Sequence, residues 1–443
     1  MEVPSTRWVK SGDVRIAYQV VGDGPVDLLW IPGFGQHLEL SWEEPYRRAW
    51  LETLASEYRL IVFDKRGTGL SDRVEGGAAS VEVRMDDLRA VLDEVGSRKA
   101  AILTSGDSSD LALVYAATYP ERVLAVVTWD GQFRGSWAPS YPWAPPREEA
   151  LRAIDEMERR WPESLRERID RIAPSLAPDE RDAFTRVIRL SVSPGSAAAY
   201  LRMALDSDVT GVLASVHVPV LLMSQLGSPS EEADRWVAAR LPAGEFLAID
   251  RPDGIPVVGD TAPLLAAVRE FIARAAEEAP HTDRALATVL FTDIVDSTAH
   301  AAEVGDRAWK AVQEQHNAIV RQHLARFRGT EQDTAGDGFF AAFDGPARAI
   351  RCACAIRDAV QSLGIEVRAG LHTGECDVLD GKVSGIAVAT GARVSAQAQT
   401  NEVLVSQTVK DLVAGSNIGF VPRGTASLKG VPGEWQLFAV TAA

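Results

Sequence analysis

Four things are scarce in this chain of 443 residues. Cysteine is the first: Cys352, Cys354 and Cys376 are the only three. A C-x-C pair with one distant companion builds neither a disulfide framework nor a zinc site. Reduced thiols, as in a cytoplasmic protein, are expected. Basic charge is the second. Lys and Arg number 46 against 62 Asp and Glu, a net charge of −16, whereas nucleic-acid binding needs a basic face. The deficit is uneven. Residues 287–443 hold 17 acidic and 14 basic residues, a net of −3, which leaves −13 for the rest. Solubility is the simplest meaning of such acidity. Long apolar runs are the third. None approaches the ~18 residues of a membrane-spanning helix, and the opening MEVPSTRWVK lacks the apolar core of a signal peptide. No membrane span and a cytoplasmic location are expected. Histidine is the fourth: there are seven, and none lies between His217 and His281.

What is present is ordinary globular composition, 46% hydrophobic and 24% charged, at a length that implies two or three domains. Residues 15–22 (RIAYQVVG) and 26–32 (VDLLWIP) alternate or run apolar and end at Gly or Pro, as strands do. WLETLASEY carries apolar residues at helical spacing. RLIVFDKRGTGLSD reads as a buried strand and a polar Gly turn, and VRMDDLRAVLDEVG as an amphipathic helix closed by Gly96. KAAILTSGDSSDLALVYAATYPERV is strand, tight turn and helix, and LAVVTWD is a further strand. Such alternation implies a parallel sheet covered on both faces. From Trp137 to about Ser215 the chain turns helical, charged and Pro-punctuated, which reads as an insertion. Strands return at VPVLLMSQ and EFLAID, and TAPLLAAVREFIARAAEE closes the region. The expectation is a doubly wound α/β domain over 1–278 with a helical cap at about 137–215, a linker at 279–286, and a second domain over 287–443.

IPGFGQHLELSW, IVFDKRGTGLSD, the strand–turn–helix ending in AATYPERV, and VPVLLMS together resemble an α/β-hydrolase over nearly all of 10–275. That family implies a strained G-x-S-x-G serine elbow and a triad in the order Ser, Asp/Glu, His. Every triad position departs from it here. Counted back from AATYP, the elbow apex falls on Gly106, flanked by Thr104 and Ser108. Neighbouring Ser105 and Ser108 do not rescue it, because Leu103 and Asp107 would then stand where the turn needs glycine-like residues. The acid position falls near Ser228 and the histidine position on Gly254. The histidine gap now acquires a meaning: no histidine follows EFLAID within the domain, and a Ser-His-Asp hydrolase cannot run without that general base. Two readings stay open, a scaffold with an eroded pocket and a pocket kept to bind a small apolar molecule under the cap. His37 could line that pocket or simply face solvent.

In the second part, two strings carry one Asp each at a backbone bend beside apolar strand residues. These are LFTDIVDST with Asp293 and TAGDGFF with Asp337. Mg²⁺ is hard and is held by one or two carboxylates plus substrate phosphates, so paired carboxylates from separate strands suit a two-metal, phosphate-handling site. The flanking pattern reads strand, long amphipathic helical region (Trp309, Val312, Ile319, Val320, Phe327 on one face), hairpin at Gly336-Asp337-Gly338, helix, strand. That order resembles an α+β ferredoxin-like core.

FTDIVDST, GDGFF, VRAGLHTGE, GARVSA and LKGVPG make the whole of about 287–443 resemble a class III nucleotidyl cyclase catalytic domain. The resemblance implies a homodimer with each site built from both protomers. It implies Asp293, Asp337 and the Ile294 carbonyl on two Mg²⁺ or Mn²⁺ ions, and phosphate contacts from the backbone of 294–298, Ser297 and Thr298 included. It further implies Arg368 on pyrophosphate, and from the other protomer Arg393 at the α-phosphate and Lys429 on the terminal phosphate. The base-reading positions depart from the adenylyl pattern: Asp333 stands where Lys is usual, Lys382 where Asp or Thr is usual, and Ala389 where Asn is usual. Asp333 and Lys382 pair with each other across the dimer, or Asp333 accepts from adenine N6, or it accepts from guanine N1–H and N2. Family frequency favours ATP over GTP. The expected function is ATP cyclisation regulated by a non-catalytic hydrolase-like domain. The alternatives are a guanylyl cyclase, a ligand-sensing module with a residual cyclase, and an active hydrolase.

Overall fold

The computed structural model describes residues 2–74, 79–278 and 283–443. The chain divides into two compact units, Met1–Thr282 and Asp283–Ala443. In the first, strands β1 (Arg7–Ser11), β2 (Val14–Val21), β3 (Asp27–Ile31), β4 (Arg59–Phe63), β5 (Ala100–Ser105), β6 (Val123–Trp129), β7 (Val220–Gln225) and β8 (Gly244–Ile249) form one sheet. Their order is β1-β2-β4-β3-β5-β6-β7-β8. β2 runs antiparallel to β1 and β4, and all other pairs are parallel. Strands covered on both faces read as continuous apolar runs rather than alternation, and β5 is buried at all six positions. β1 was not expected. It is a short edge strand, mostly exposed, so its RWVKS carries no apolar signal.

Helices α1 (Pro45–Ala55), α2 (Val81–Glu94) and α3 (Ser109–Thr118) follow β3, β4 and β5. All ten residues of α3 are buried, which makes the β5–α3 turn the centre of the unit. Between β6 and β7 stand α4 (Arg147–Arg159), α5 (Glu163–Ile172), α6 (Pro178–Ser191) and α7 (Pro194–Asp206). The first three are charged and amphipathic, α5 burying only Leu165 and Ile169, whereas α7 is Ala-rich and buries Ala197, Ala198, Met203, Ala204 and Leu205. α8 (Glu231–Ala238) and α9 (Ala262–Glu278) complete the unit.

The second unit starts with β9 (Arg284–Ile294), three residues inside the stretch read as linker. Arg284 ties that start to Glu375 and Asp377. Of the rest of the expected linker, Asp283 is described and 279–282 lie outside the described residues. There follow α10 (Ser297–Val304), α11 (Asp306–Arg326), β10 (Thr330–Ala335), β11 (Gly338–Phe343), α12 (Pro346–Val360), β12 (Val367–Leu379), β13 (Lys382–Ser384), α13 (Ile386–Gln397), β14 (Val403–Ser406), α14 (Gln407–Leu412), β15 (Gly419–Ser427) and β16 (Glu434–Ala442). The sheet order is β10-β11-β9-β12-β14-β16-β15, with β13 on β12. The expected single long helical region breaks at Gly305 into α10 and α11. The buried stripe of α11 is His316, Val320 and Leu324, and the Trp309, Val312, Ile319 and Phe327 face packs only partly. The cysteines are free and buried, two of them on α12. Among the described residues no helix is long and apolar enough to cross a membrane.

Candidate active site

Strand register brings Asp293 and Asp337 together. Phe339 pairs with Thr292, so the β10–β11 turn lies beside the end of β9. On the other side Arg368 pairs with Asp293. Ala335 pairs with Gly338, which leaves Gly336 and Asp337 as a two-residue turn. Gly336 takes φ 67°, a left-handed conformation for which glycine bears no Cβ penalty.

The two carboxylates differ. Asp293 is 37% exposed and accepts a hydrogen bond from Arg368 Nη2 at 2.7 Å. Asp337 has one oxygen, Oδ2, that is buried and has no hydrogen-bond partner. A buried anionic oxygen without a partner is costly, and a hard cation there would remove the cost. The donor set therefore fits a divalent ion. Among the described residues no cluster of three or more His, Cys, Asp or Glu ligands forms, so phosphate and water oxygens would have to complete any coordination. Beneath the pair, His316 is buried with Nε2 unpartnered. Burial lowers its pKa, and Asp337 and Asp293 act in the opposite sense.

Ser297 and Thr298 open α10, whose cap residue Asp296 has φ 54° and makes no capping side-chain bond. The first N–H groups of such a helix lack intrahelical acceptors and suit an anion. Arg368 also lines an open cleft of about 490 Å³ with Val295, Ala398, Gln399 and Thr400. Arg393 and Lys429 are exposed and touch each other: Arg393 Nε donates to the Lys429 carbonyl at 3.1 Å. Among the described residues no hydrogen bond or ion pair joins either of them to Asp293 or Asp337. Arg393 is held in place by the seating of α13. A Cβ on Gly370 would stand 2.1 Å from Ser395 N, so only glycine lets the helix lie this close to β12.

At the base-reading positions, Asp333 is exposed and accepts from Thr334 N at 2.9 Å. Lys382 donates to the carbonyl of Gln332 in its own chain. Ala389 is exposed one turn before Arg393 on the same helix.

In the first unit, Gly106 has φ 55°, and a Cβ added to it would meet no atom within 4 Å. The sharp elbow is retained with no side chain at its apex. Ser105 Oγ accepts from Gly33 N at 3.0 Å, and Ser108 is wholly buried. The Asp107 carboxylate accepts from Phe34 N at 2.9 Å and from the Tyr200 hydroxyl, with Lys65 Nζ 3.7 Å away. Ser228 Oγ, at the expected acid position, donates to Asp130 Oδ1 at 2.9 Å. A Cβ on Gly254 would stand 3.9 Å from Asp130 Oδ2, so an acid does face the vacant histidine position. His37 serves a local turn instead, its Nδ1 accepting from Leu40 N at 3.4 Å.

Family models match both units. Residues 280–442 match the adenylate and guanylate cyclase catalytic domain, and residues 28–167 match the alpha/beta hydrolase fold. The chain joins an α/β-hydrolase-fold domain to a class III nucleotidyl cyclase domain. A 2-hydroxy-6-oxononadienedioate/2-hydroxy-6-oxononatrienedioate hydrolase of Paraburkholderia phymatum is 29% identical over 129 residues, 29% of this chain and 43% of that protein. The chain spans 16–43% of the length of the curated relatives it matches. An esterase from Thermogutta terrifontis superposes with TM-score 0.51 at 21% identity, covering 61% of this chain and 99% of that one, a likeness of fold alone. An adenylyl cyclase from P. aeruginosa covers 37% of this chain and 97% of that one at 20% identity, with TM-score 0.34.

Sequence reasoning missed two residues of these domains. Asp130 of the hydrolase-fold domain follows a buried strand at φ 44°, and an Asp ending the run LAVVTWD was its only signal. His316 of the cyclase domain lies one turn from both Val312 and Val320, so helical periodicity alone placed it on the buried face.

Proposed function

We propose that this protein converts ATP to 3′,5′-cyclic AMP and pyrophosphate in sites shared between two copies of its cyclase domain, under control of a hydrolase-fold domain that does no chemistry. The observation that carries the reading is the buried, unpartnered oxygen of Asp337 beside Asp293. Two divalent ions, Mg²⁺ or Mn²⁺, would be held by Asp293, Asp337 and the Ile294 carbonyl. When bound they supply charge neutralisation at the leaving pyrophosphate and acidify the ribose 3′-hydroxyl.

The remaining work belongs to side chains. Ser297 and Thr298 offer helix-start N–H groups to the phosphates. Arg368 holds Asp293 in the resting chain and would exchange it for pyrophosphate oxygens when substrate binds. Arg393 of the second copy stabilises charge growing at the transferring phosphorus, and electrostatic clamps of that kind account for large rate factors. Lys429 holds the terminal phosphate. Ala389 offers only a methyl where a hydrogen-bonding side chain would steady the transition state, so turnover is slow.

Lys382 is engaged by its own Gln332 carbonyl, which favours Asp333 acting alone at the purine edge. A lone carboxylate there accepts from adenine N6 or, equally, from guanine N1–H and N2. Guanylyl cyclisation is thus the second reading. Assays of the purified chain with ATP or GTP and Mg²⁺ or Mn²⁺ decide between them. Cyclic nucleotide yield unchanged in Asp293→Ala would remove the metal assignment. For the first domain, the absent apex side chain and base support a pocket that binds a small apolar molecule instead of cleaving one. Hydrolysis of p-nitrophenyl esters that vanished in Ser105→Ala would overturn that part.

A further inference from the structure

Three buried polar atoms without partners lie close together in the cyclase domain: Asp337 Oδ2, His316 Nε2 and Thr292 Oγ1. Strand register and one ring contact place them. Thr292 stands directly opposite Phe339, so the two side chains share a face of the sheet. Asp337 comes two residues before Phe339 in the same hairpin, and Thr292 immediately precedes Asp293. From α11 the His316 ring packs at an angle on the Phe339 ring, centroids 5.7 Å apart. His316 is wholly buried and Thr292 is 3% exposed.

The three atoms differ in what they lack. Asn317 Oδ1 lies 3.2 Å from His316 Nδ1. An amide oxygen only accepts, so the ring proton is assigned to Nδ1 and Nε2 presents a lone pair. Thr292 Oγ1 also has lone pairs to offer, whereas Asp337 Oδ2 suits a divalent ion. Two acceptors beside the ion position thus lack donors. Arg321, further along α11, is no donor for them: both its bonds go to Glu331, at 2.8 and 2.9 Å, and its head lies over the Phe339 ring. Nor is His316 a direct ligand, because among the described residues no group of three or more His, Cys, Asp or Glu could hold a metal.

We propose that His316 and Thr292 are positioning residues for the ion at Asp337, their Nε2 and Oγ1 accepting the two protons of a water bound to that ion. The inference rests on the reading of Asp337 as a metal residue. A metal-bound water gives its lone pair to the ion and keeps two donors, which matches the two acceptors left over. Mg²⁺ in particular retains several of its waters when protein carboxylates hold it. Outer partners of this kind orient the ion and commonly change its affinity by about 10- to 100-fold.

Melting of the intact chain across a Mn²⁺ titration tests the idea, with 3′-deoxy-ATP present so that no cyclisation can occur. The half-saturating Mn²⁺ concentration is expected to rise about 10- to 100-fold in His316→Phe. It should rise also in Thr292→Val, which keeps the shape and loses the acceptor. His316→Gln, whose amide oxygen offers an acceptor, should recover part of the loss. Without metal, His316→Phe and Thr292→Val should melt no lower than the parent, because each removes a buried polar atom that has no partner. A half-saturating Mn²⁺ unchanged in either variant, while Asp337→Ala loses the response, overturns the proposal and leaves the metal site standing. A parent without a Mn²⁺ response, or an Asp337→Ala variant that responds as the parent does, overturns both.

Discussion

The candidate sites of the two domains hold their carboxylates in different ways. In the cyclase domain the groups expected to do chemistry are left unsatisfied. Asp337 Oδ2 is buried without a partner, Arg393 has a single bond to a backbone carbonyl, and Asp293 has one arginine. In the hydrolase-fold domain the equivalent region is closed off by internal pairs, Lys65 with Asp107 and Arg84 with Asp110. Buried polar groups are normally satisfied, so an orphan asks for an explanation. Orphans are not confined to the cyclase domain, since Asp64 Oδ1, Asp234 Oδ1 and Arg84 Nε of the hydrolase-fold domain are buried without a partner as well. The contrast lies in the carboxylates at the two candidate sites, Asp337 with a bare oxygen and Asp107 shared by Lys65, Tyr200 and Phe34 N.

The largest effect that would break this contrast is loss of the orphan carboxylate. Asp337→Ala should lower cyclic nucleotide formation by about two to three orders of magnitude, the scale seen when one transition-state electrostatic group is removed. Asp337→Asn should be as inactive, yet melt no lower than the parent without metal, since it removes a buried negative charge. If Asp337→Asn melted well below the parent, the carboxylate would be serving structure, and the contrast with Asp107 would disappear.

Next in size is the sharing of the site between copies. Arg393→Ala and Asp293→Ala should each be inactive alone. Mixed in equal amounts they should recover about a quarter of parent activity, because half the two-fold dimers then contain one intact site of two. No recovery on mixing, with dimers demonstrated by light scattering, would mean that Arg393 and Asp293 act within one chain.

How far such contrasts were legible in the sequence depends on the length scale of the signal. The parallel sheet and its elbow were legible because buried strands such as β5 open on an apolar run, Ala100 to Leu103, and the turn TSGDS stands between strand and helix. The pairing of Asp293 with Asp337 was legible because each sits in a short string with its own bend. What escaped depends on partners distant in sequence. Asp130 gains its role from Gly254, and Lys382 is taken by Gln332 fifty residues away. The break at Gly305 was hidden because both flanking segments favour helix, and one glycine at φ 80° ends the first. β1 and β13 are short edges with no apolar face to announce them.

A smaller effect concerns the empty elbow. Gly106→Ser places a side chain where space exists but φ is 55°, a conformation that costs an L-residue about 1–2 kcal/mol. The variant should melt lower by that amount in denaturant titration and gain no esterase activity, since Gly254 supplies no base. Adding Gly254→His, whose Cβ would lie 3.9 Å from Asp130 Oδ2, should bring hydrolysis of p-nitrophenyl acetate above background. Activity in Gly106→Ser alone would show that another base reaches the elbow and would narrow the gap between the domains.

The smallest expected effect lies in Asp130 itself. Burial is the chief cause that pushes its carboxyl up to about 6, against hydrogen bonds from Ser228 and the chain and the nearby Arg251 charge. In the unfolded chain the same group titrates near ~3.9. Between those values the folded state holds a proton that the unfolded state has released, so stability falls as pH rises through that window and levels off above it. Asp130→Asn removes this contribution while keeping an acceptor for Ser228. The variant should match the parent near pH 4 and exceed it by on the order of 1 kcal/mol at pH 7. Asp64, pushed up to about 7 by burial, contributes a similar slope to both proteins and cancels in the difference. A variant–parent difference that stayed flat from pH 4 to 7 would mean that Asp130 is ionised in the folded chain. It would then be a working acid that lacks only its histidine, and the hydrolase-fold domain would be one substitution nearer to its relatives than the paired charges suggest.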